Sequence, residues 1–307
     1  MFDDHYPLFS LADRTRYLAH RHQSLTELAD ASFDARWSWH EGFDYRVVEQ
    51  ADCLFFISNG GVFTTPHMSM PLGPLNQDRL QTIVDSVAPE FNRLGWPVRI
   101  LYIDELYVPL FENLQGCQVR IAYDRTFSDY LYDAQSLRQL SGKDLHAKRN
   151  HVNRFLRTYP DYQFTPLIQA DASEALQLVL DWCEEKGIDS NDITKSDYRP
   201  VKMLLDHYDE LHLKGGAIRI DGKLVAFSIA SEPYNRTGVI HVEKAKAEYP
   251  GLYAAINKFT LDEILPDIDW VNREEDLGIP GLRKAKLSYG PSRLIHKYEV
   301  VLTHGDA

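Results

Sequence analysis

Glu243 and Lys244 are the first residues whose types and spacing suggest chemistry. They close a predicted strand with opposite charges at adjacent positions, so their side chains are expected on opposite faces of a sheet. A carboxylate such as Glu243 can orient or deprotonate an acceptor amine when it lies within hydrogen-bond reach. The alternative is a structural ion pair between Glu243 and either Lys258 or Arg273.

A second polar run follows about thirty residues later, directly after another predicted strand. Asn272 and Glu274 are candidate site residues there, whereas the acids at 275–276 fit the start of a helix, where negative charge is favoured. Lys284 or Lys286 could hold a donor phosphate or stabilise the oxyanion that forms when an ester carbonyl is attacked. A solvated basic turn is the structural alternative.

A basic segment lies near the middle of a chain that is acidic as a whole. Residues 138–157 contain six cations and one acid, a net charge of +5, although 33 Lys plus Arg against 45 Asp plus Glu leave the whole chain at −12. In a helix over 143–157, one face would carry Lys148, Arg149, Asn153 and Arg157. Such a face could contact phosphates, with Asn150 and Asn153 adding neutral hydrogen bonds. A solvated or linker helix is the alternative.

Composition excludes several classes of protein. The chain has 307 residues, 44% apolar and 25% charged, which is ordinary for globular domains and long enough for two of them. Three scattered cysteines and an acidic N-terminus predict a cytoplasmic location without disulfides. The sequence contains no P-loop, GxGxxG, GxSxG or HExxH pattern, and we assign no metal site and no tightly bound cofactor.

Periodicity predicts mixed helices and strands along the whole chain. Helices are predicted over 24–31, 77–94, 128–140, 143–159, 172–186, 200–211 and 252–265. Strands are predicted over 45–48, 53–57, 62–65, 98–103, 118–123, 162–167, 216–220, 224–231, 239–244, 268–272 and 294–302. Asp221-Gly222 predicts a type I′ hairpin between two of these strands.

This order of elements resembles the acetyltransferase-type (GNAT) plan, an α+β fold in which a mixed central sheet is flanked by helices. The second half follows the plan closely, and the first half follows it in a reduced form, so tandem GNAT domains are predicted. We expect a degenerate N-terminal GNAT-like domain over 1–127, basic linker helices over 128–160, and a C-terminal GNAT-like domain with the active site over 161–307.

Three segments together resemble one family. They are SGKDLHAKRNHVNRF (residues 141–155), HVEKAKAEYPGLYAAINKF (241–259) and NREEDLGIPGLRKAKLSYGP (272–291). In this order they are similar to the phosphatidylglycerol lysyltransferase C-terminal-like family over about residues 20–300. The resemblance implies a tandem GNAT fold related to Fem-type transferases that use aminoacyl-tRNA, and it favours Lys286 as a functional residue.

The resemblance to acetyltransferase folds also indicates where a donor would bind. In that fold the fourth strand and the start of the following helix hold the donor, which here corresponds to residues 244–257 and includes Lys244, Gly251, Tyr253 and Asn257. Pro250 lacks the amide that a pyrophosphate-binding loop needs. Aminoacyl-tRNA is therefore favoured over acyl-CoA as the donor.

These observations predict an acyltransferase, with two alternatives left open. Glu243 would orient the acceptor, a lipid headgroup or small molecule, while Lys286 would stabilise charge and Asn272 would complete the catalytic set. Lys143, Lys148, Arg149, Asn150, Asn153 and Lys284 would contact donor phosphates, with tRNA as the partner of the 143–157 helix. The alternatives are an acyl-CoA-dependent N-acyltransferase and a non-catalytic GNAT-like binding module.

Overall fold

The computed structural model describes residues 2, 6–192 and 196–303. Its helices are α1 (Arg14–Arg21), α2 (Phe33–Phe43), α3 (Gln77–Arg93), α4 (Val108–Glu112), α5 (Ala134–Gln139), α6 (His146–Thr158), α7 (Ala172–Lys186), α8 (Tyr198–Asp206), α9 (Leu252–Phe259) and α10 (Pro280–Leu287). Its strands are β1 (Tyr45–Gln50), β2 (Cys53–Ser58), β3 (His67–Ser69), β4 (Val98–Asp104), β5 (Gln118–Tyr123), β6 (Asp129–Asp133), β7 (Gln163–Pro166), β8 (Gly216–Ile220), β9 (Lys223–Tyr234), β10 (Thr237–Ala245), β11 (Trp270–Asn272), β12 (Arg293–Ile295) and β13 (Lys297–Thr303).

The chain forms two compact units, each built on one mixed sheet. The first unit comprises Met1–Asp129 and Ile295–Ala307, and the second comprises Tyr130–Leu294. These units divide the chain differently from the predicted ranges. Strand β13 pairs with β4 and β5 in the sheet of the first unit, and the basic helices belong to the second unit. The cause is long-range strand pairing, which local sequence does not encode.

The first unit has the sheet order β1-β2-β3-β4-β13-β5 among the described residues. Strand β2 is buried along its whole length, which explains its continuous apolar run. Helix α3 begins where Asn76 Oδ1 accepts a hydrogen bond of 3.0 Å from the Arg79 amide and ends before Gly95, as predicted. Aromatic side chains fill the core, and Phe9, Tyr17, Phe33 and Phe56 pack ring against ring.

Three local predictions in and beside the first unit are wrong. Residues 24–31 contain only the short 3-10 turn Ala29–Ala31, and the helix begins later, where Ser32 Oγ accepts from the Ala35 amide. Residues 61–63 form a 3-10 turn in place of the strand predicted over 62–65, because Thr64 adopts a positive φ of 59°. Residues 129–133 form β6 instead of helix, since they pair with β11.

The second unit has the sheet order β12-β6-β11-β10-β9-β8-β7. The β8–β9 hairpin is confirmed, with positive φ at both Asp221 and Gly222. Strand β10 pairs with β9 along most of its length but with β11 only from Thr237 to Val239. Because β11 ends at Asn272, residues 240–245 of β10 extend beyond it. The two strands therefore separate there.

Candidate active site

Glu243 lies where β10 extends beyond β11, with its carboxylate buried. Its Oε2 forms an ion pair with Arg273 Nη2, and its Oε1 accepts a hydrogen bond of 2.7 Å from Asn257 Nδ2. Arg273 immediately follows β11, and Asn257 lies on α9. Lys258, the other partner considered for Glu243, bonds instead to Asp262 and to the Arg138 carbonyl. Strand, loop and helix thus converge on one carboxylate.

Two buried polar atoms beside Glu243 have no hydrogen-bond partner within the described part of the chain. They are Oδ1 of Asn257, an acceptor, and Nη1 of Arg273, a donor. Asn257 is only 1% exposed. Buried polar groups are nearly always hydrogen-bonded, and an unpaired one costs about 1–3 kcal/mol. A donor and an acceptor left unpaired on either side of one carboxylate indicate a place for a ligand that carries both kinds of group.

Two tyrosines and a lysine surround the Arg273 guanidinium. Its central carbon lies 4.6 Å from the ring centroid of Tyr289 and 5.7 Å from that of Tyr132. The ammonium of Lys148, on α6, lies 3.9 Å from the same Tyr289 centroid. We call Glu243, Asn257, Arg273, Tyr289 and Lys148 the Glu243 cluster.

Burial shifts the ionisation of this cluster. It lowers the pKa of Lys148 to about 8, and repulsion from Arg273 acts in the same direction. Burial also raises the pKa of Tyr289 to about 12, so that the phenol stays neutral near pH 7. The pKa of Arg273 is raised although burial opposes it, because the Glu243 carboxylate stabilises the cation. One carboxylate beside two cations is also a poor site for a metal ion.

Lys286 and Asn272 form hydrogen bonds with the backbone of the loop that contains Arg273. Lys286 Nζ donates to the carbonyl oxygen of Arg273 at 2.5 Å and to that of Glu275. Asn272 Oδ1 accepts a hydrogen bond of 2.8 Å from the Glu274 amide. Both residues, which were predicted to be catalytic, are buried next to Arg273, the partner of Glu243. Their side chains, however, form these hydrogen bonds with backbone atoms of the loop.

The predicted donor-binding residues do not form one surface. Lys244 turns away from Glu243, with Nζ 2.9 Å from Asp197 Oδ2 and 3.7 Å from the ring centroid of Trp182. Tyr253 is exposed on the first turn of α9. Arg149 donates to the Leu140 carbonyl at 2.6 Å. The other exposed candidates are Lys143, Asn150, Asn153 and Lys284.

Gly251 allows α6 to pack against the start of α9. It has a φ of +89°, and a Cβ there would lie 2.1 Å from the carbonyl oxygen of His151. Only glycine fits both constraints. The contact brings the α6 backbone to the helix start that would hold a pyrophosphate in an acetyltransferase.

Sequence reasoning missed part of the cluster. Arg273 was considered only as a structural partner of Glu243, and Tyr132 and Tyr289 were not singled out. His241 was also missed; its Nδ1 is 3.0 Å from Glu274 Oε1 and its Nε2 is 2.8 Å from Ser231 Oγ. Arg273, Tyr289 and His241 lie within the matching motifs, which is the signal the sequence offers for them, whereas Tyr132 lies outside all three.

Comparisons with solved structures support the fold. A conserved protein of unknown function from Bacteroides thetaiotaomicron is 32% identical, with a TM-score of 0.89 over 97% of this chain and 99% of that one. L-PGS from Bacillus licheniformis is 16% identical, with a TM-score of 0.64 over 96% of this chain and 92% of that one. FemX is 7% identical, with a TM-score of 0.64 over 95% and 96%.

Within the described residues, no helix is both long and apolar enough to cross a membrane. The tandem GNAT-like fold predicted from the sequence is confirmed. The sequence profile described as "Phosphatidylglycerol lysyltransferase, C-terminal" matches residues 23–301. The chain belongs to the phosphatidylglycerol lysyltransferase C-terminal family.

Proposed function

We propose that this protein transfers an aminoacyl group from an aminoacyl-tRNA to an amine or hydroxyl acceptor at the Glu243 cluster. One observation carries the proposal. A buried carboxylate lies where β10 and β11 separate, between a buried acceptor and a buried donor that are both unpaired. Membership of a lysyltransferase family and a fold shared with FemX favour aminoacyl transfer over other acyl transfers.

The chemistry divides between Glu243 and Arg273. The acceptor N–H or O–H donates to Glu243, and its nitrogen or oxygen attacks the ester carbonyl of the donor. A new C–N or C–O bond forms, the ester C–O bond breaks, and the proton passes through Glu243 to the departing ribose oxygen. Arg273 Nη1 stabilises the oxyanion of the tetrahedral intermediate. This assignment moves the charge-stabilising role predicted for Lys286 to Arg273, with Lys286 as a positioning residue.

The exposed part of α6 is the proposed tRNA contact. Arg154 and Arg157 are exposed, as are Asn150 and Asn153, and Lys143 precedes the helix. Lys148 and Arg149 are excluded from this surface because both bond inward. Phosphate contacts of this kind weaken as salt rises, through release of counterions.

An acyl-CoA donor is the second candidate, and the start of α9 argues against it. Pro250 supplies no amide, and the carbonyl of His151 approaches Gly251. A carbonyl oxygen repels phosphate. A thermal-shift screen with acyl-CoAs tests this candidate, because a specific ligand raises the unfolding temperature by mass action.

The transfer assay uses tRNA charged with labelled amino acids, together with lipid vesicles or soluble amines as acceptors. We expect label in a product that RNase treatment of the donor abolishes and that Glu243→Gln reduces about 100-fold. Glu248→Gln is the matched control, since Glu248 is exposed on the same connection. Transfer by Glu243→Gln at the wild-type rate would show that the catalytic assignment is wrong. A product that forms only from acyl-CoA would show that acyl-CoA, and not aminoacyl-tRNA, is the donor.

A further inference from the structure

The Glu243 cluster has more positive than negative charge. Lys148 and Arg273 both lie against the ring of Tyr289, and Glu243 is the acid that faces them. The Glu243 carboxylate is already used by Arg273 and Asn257. Burying charge without a partner is costly, so an excess of cation in a half-buried site requires an explanation.

Neighbouring acids of the second unit are committed elsewhere. Glu274 accepts from His241, and Asp276 pairs with Arg283 through two hydrogen bonds of 2.9 Å while accepting from Tyr130. Turning either acid toward Lys148 would break buried contacts. The negative charge that would balance the cluster is therefore expected from a bound molecule.

We propose that Lys148 and Arg273 bind a carboxylate or phosphate oxyanion of the substrate against Tyr289, while Asn257 Oδ1 accepts a hydrogen bond from the same molecule. Arg273 contributes one of the two N–H groups of Nη1, which is buried and unpaired, and the other N–H stays available for the tetrahedral intermediate; a guanidinium suits planar recognition of either anion. Lys148 adds a compact charge. Placing this anion on the acceptor rests on the proposed function, but binding itself does not depend on it.

The lowered pKa of Lys148 agrees with this assignment. Desolvation and Arg273 both disfavour its charged form, with a resulting pKa of about 8. A bound anion would offset the repulsion between Lys148 and Arg273. The pKa of Lys148 should therefore rise when the site is occupied, which gives a signature that a structural lysine would not show.

The test measures binding of inorganic phosphate and of acetate to the full chain by calorimetry at constant ionic strength. We expect saturable binding of at least one anion, at least tenfold weaker in Lys148→Met. Lys223→Met is the matched control and should stay within twofold of wild type, because Lys223 is exposed in the β8–β9 hairpin of the same unit. The anion that binds more tightly identifies the source of the charge.

A second variant protects the test against misfolding. Arg273→Lys keeps a cation opposite Glu243 but removes the planar guanidinium with its paired N–H donors. It should therefore also weaken anion binding. NMR of labelled lysine should show the Lys148 pKa rising from about 8 on addition of the tighter anion.

Two results would overturn the proposal: neither anion binds the wild-type protein, or Lys148→Met binds both as tightly as wild type does. The proposed function fails separately. If the protein catalyses transfer but binds anions equally well without Lys148, the proposed subsite is wrong and the proposed transfer reaction is retained. Lys148-dependent binding without transfer from any donor would retain the subsite and remove the reaction.

Discussion

Each compact unit buries ionic groups beside its sheet, and the two clusters differ in how their charges balance. In the first unit, Lys297 pairs with Asp30 and with Asp129, the latter at 2.6 Å, and Arg36 donates to the Tyr45 hydroxyl at 3.0 Å. Two cations thus face two carboxylates. In the second unit, Glu243 alone faces Arg273 and Lys148.

The difference separates a structural cluster from a functional one. Although burial opposes ionisation of Asp30, Lys297 and Arg36 hold its pKa below the ordinary value, as expected for a carboxylate with cations beside it. Beside Glu243, by contrast, Asn257 Oδ1 and Arg273 Nη1 have neither a hydrogen bond nor an ion pair within the described residues, whereas Lys297 lies against both carboxylates of the first cluster. Sites shaped for function commonly carry such local cost, because the ligand removes it.

The largest expected effect is the loss of Lys297. Lys297→Met leaves Asp30 and Asp129 buried without their cation, and breaking a buried pair in this way costs about 3–5 kcal/mol. Equilibrium denaturation should show this loss, while transfer by the folded fraction stays at the wild-type rate. A change below 1 kcal/mol would contradict the structural role of the first cluster.

Glu243→Gln should act mainly on the reaction. We expect the transfer rate to fall about 100-fold, or about 2.7 kcal/mol of transition-state stabilisation. The amide can still accept from Arg273, so the free energy of unfolding should fall less than in Lys297→Met. If the two variants lost the same free energy of unfolding, the two clusters would not differ in their structural role.

Acid should weaken the first unit through His67. Burial lowers the pKa of this buried imidazole to about 4, so the unfolded chain binds the proton more readily. The stabilisation is complete above about pH 6.5 and declines as pH falls toward 4, by about 2 kcal/mol between pH 6.5 and pH 5. His67→Gln should remove this part of the pH dependence of unfolding. An unchanged slope would place the titrating group elsewhere.

The smallest effect concerns Lys148, and its sign is opposite to that of Lys297. Removing a half-buried, unbalanced cation with Lys148→Met should raise the free energy of unfolding at pH 7 by about 1 kcal/mol, after allowance for solvent screening. The lowered pKa means that the wild-type penalty disappears as pH rises from 8 to 10.5. Denaturation at pH 7 and pH 10 checks both statements; destabilisation at pH 7 would show that the cation is already compensated.

Much of the site's location could be predicted from the sequence, but not its composition. The hairpin at Asp221-Gly222 and helix α3 follow from local signals, and both were predicted. Glu243 was identified because it closes a strand. Its partner could not be chosen between Lys258 and Arg273, since that choice depends on where β11 ends relative to β10.

Two of the errors share one physical cause. Residues 129–133 were predicted as helix, yet they pair with β11, and β13 was predicted in the C-terminal domain, yet it pairs with β4 and β5. Pairing between strands distant in sequence outweighs local propensity, which contributes only tenths of a kcal/mol per residue.

The amino-acid sequence by itself determined most helices and strands of the second unit, the tandem plan, the local +5 charge of residues 138–157, and the presence of a carboxylate at the end of a strand. Only the tertiary structure decided how those charges are used. Lys148 and Arg149 are neighbours in sequence, but one lies against Tyr289 and the other bonds to the Leu140 carbonyl, while Arg154 stays exposed. Helical rotation and the packing of α6 set those directions, because Lys148 meets Tyr289 from a distant part of the chain while Arg149 reaches back to the nearby Leu140 carbonyl.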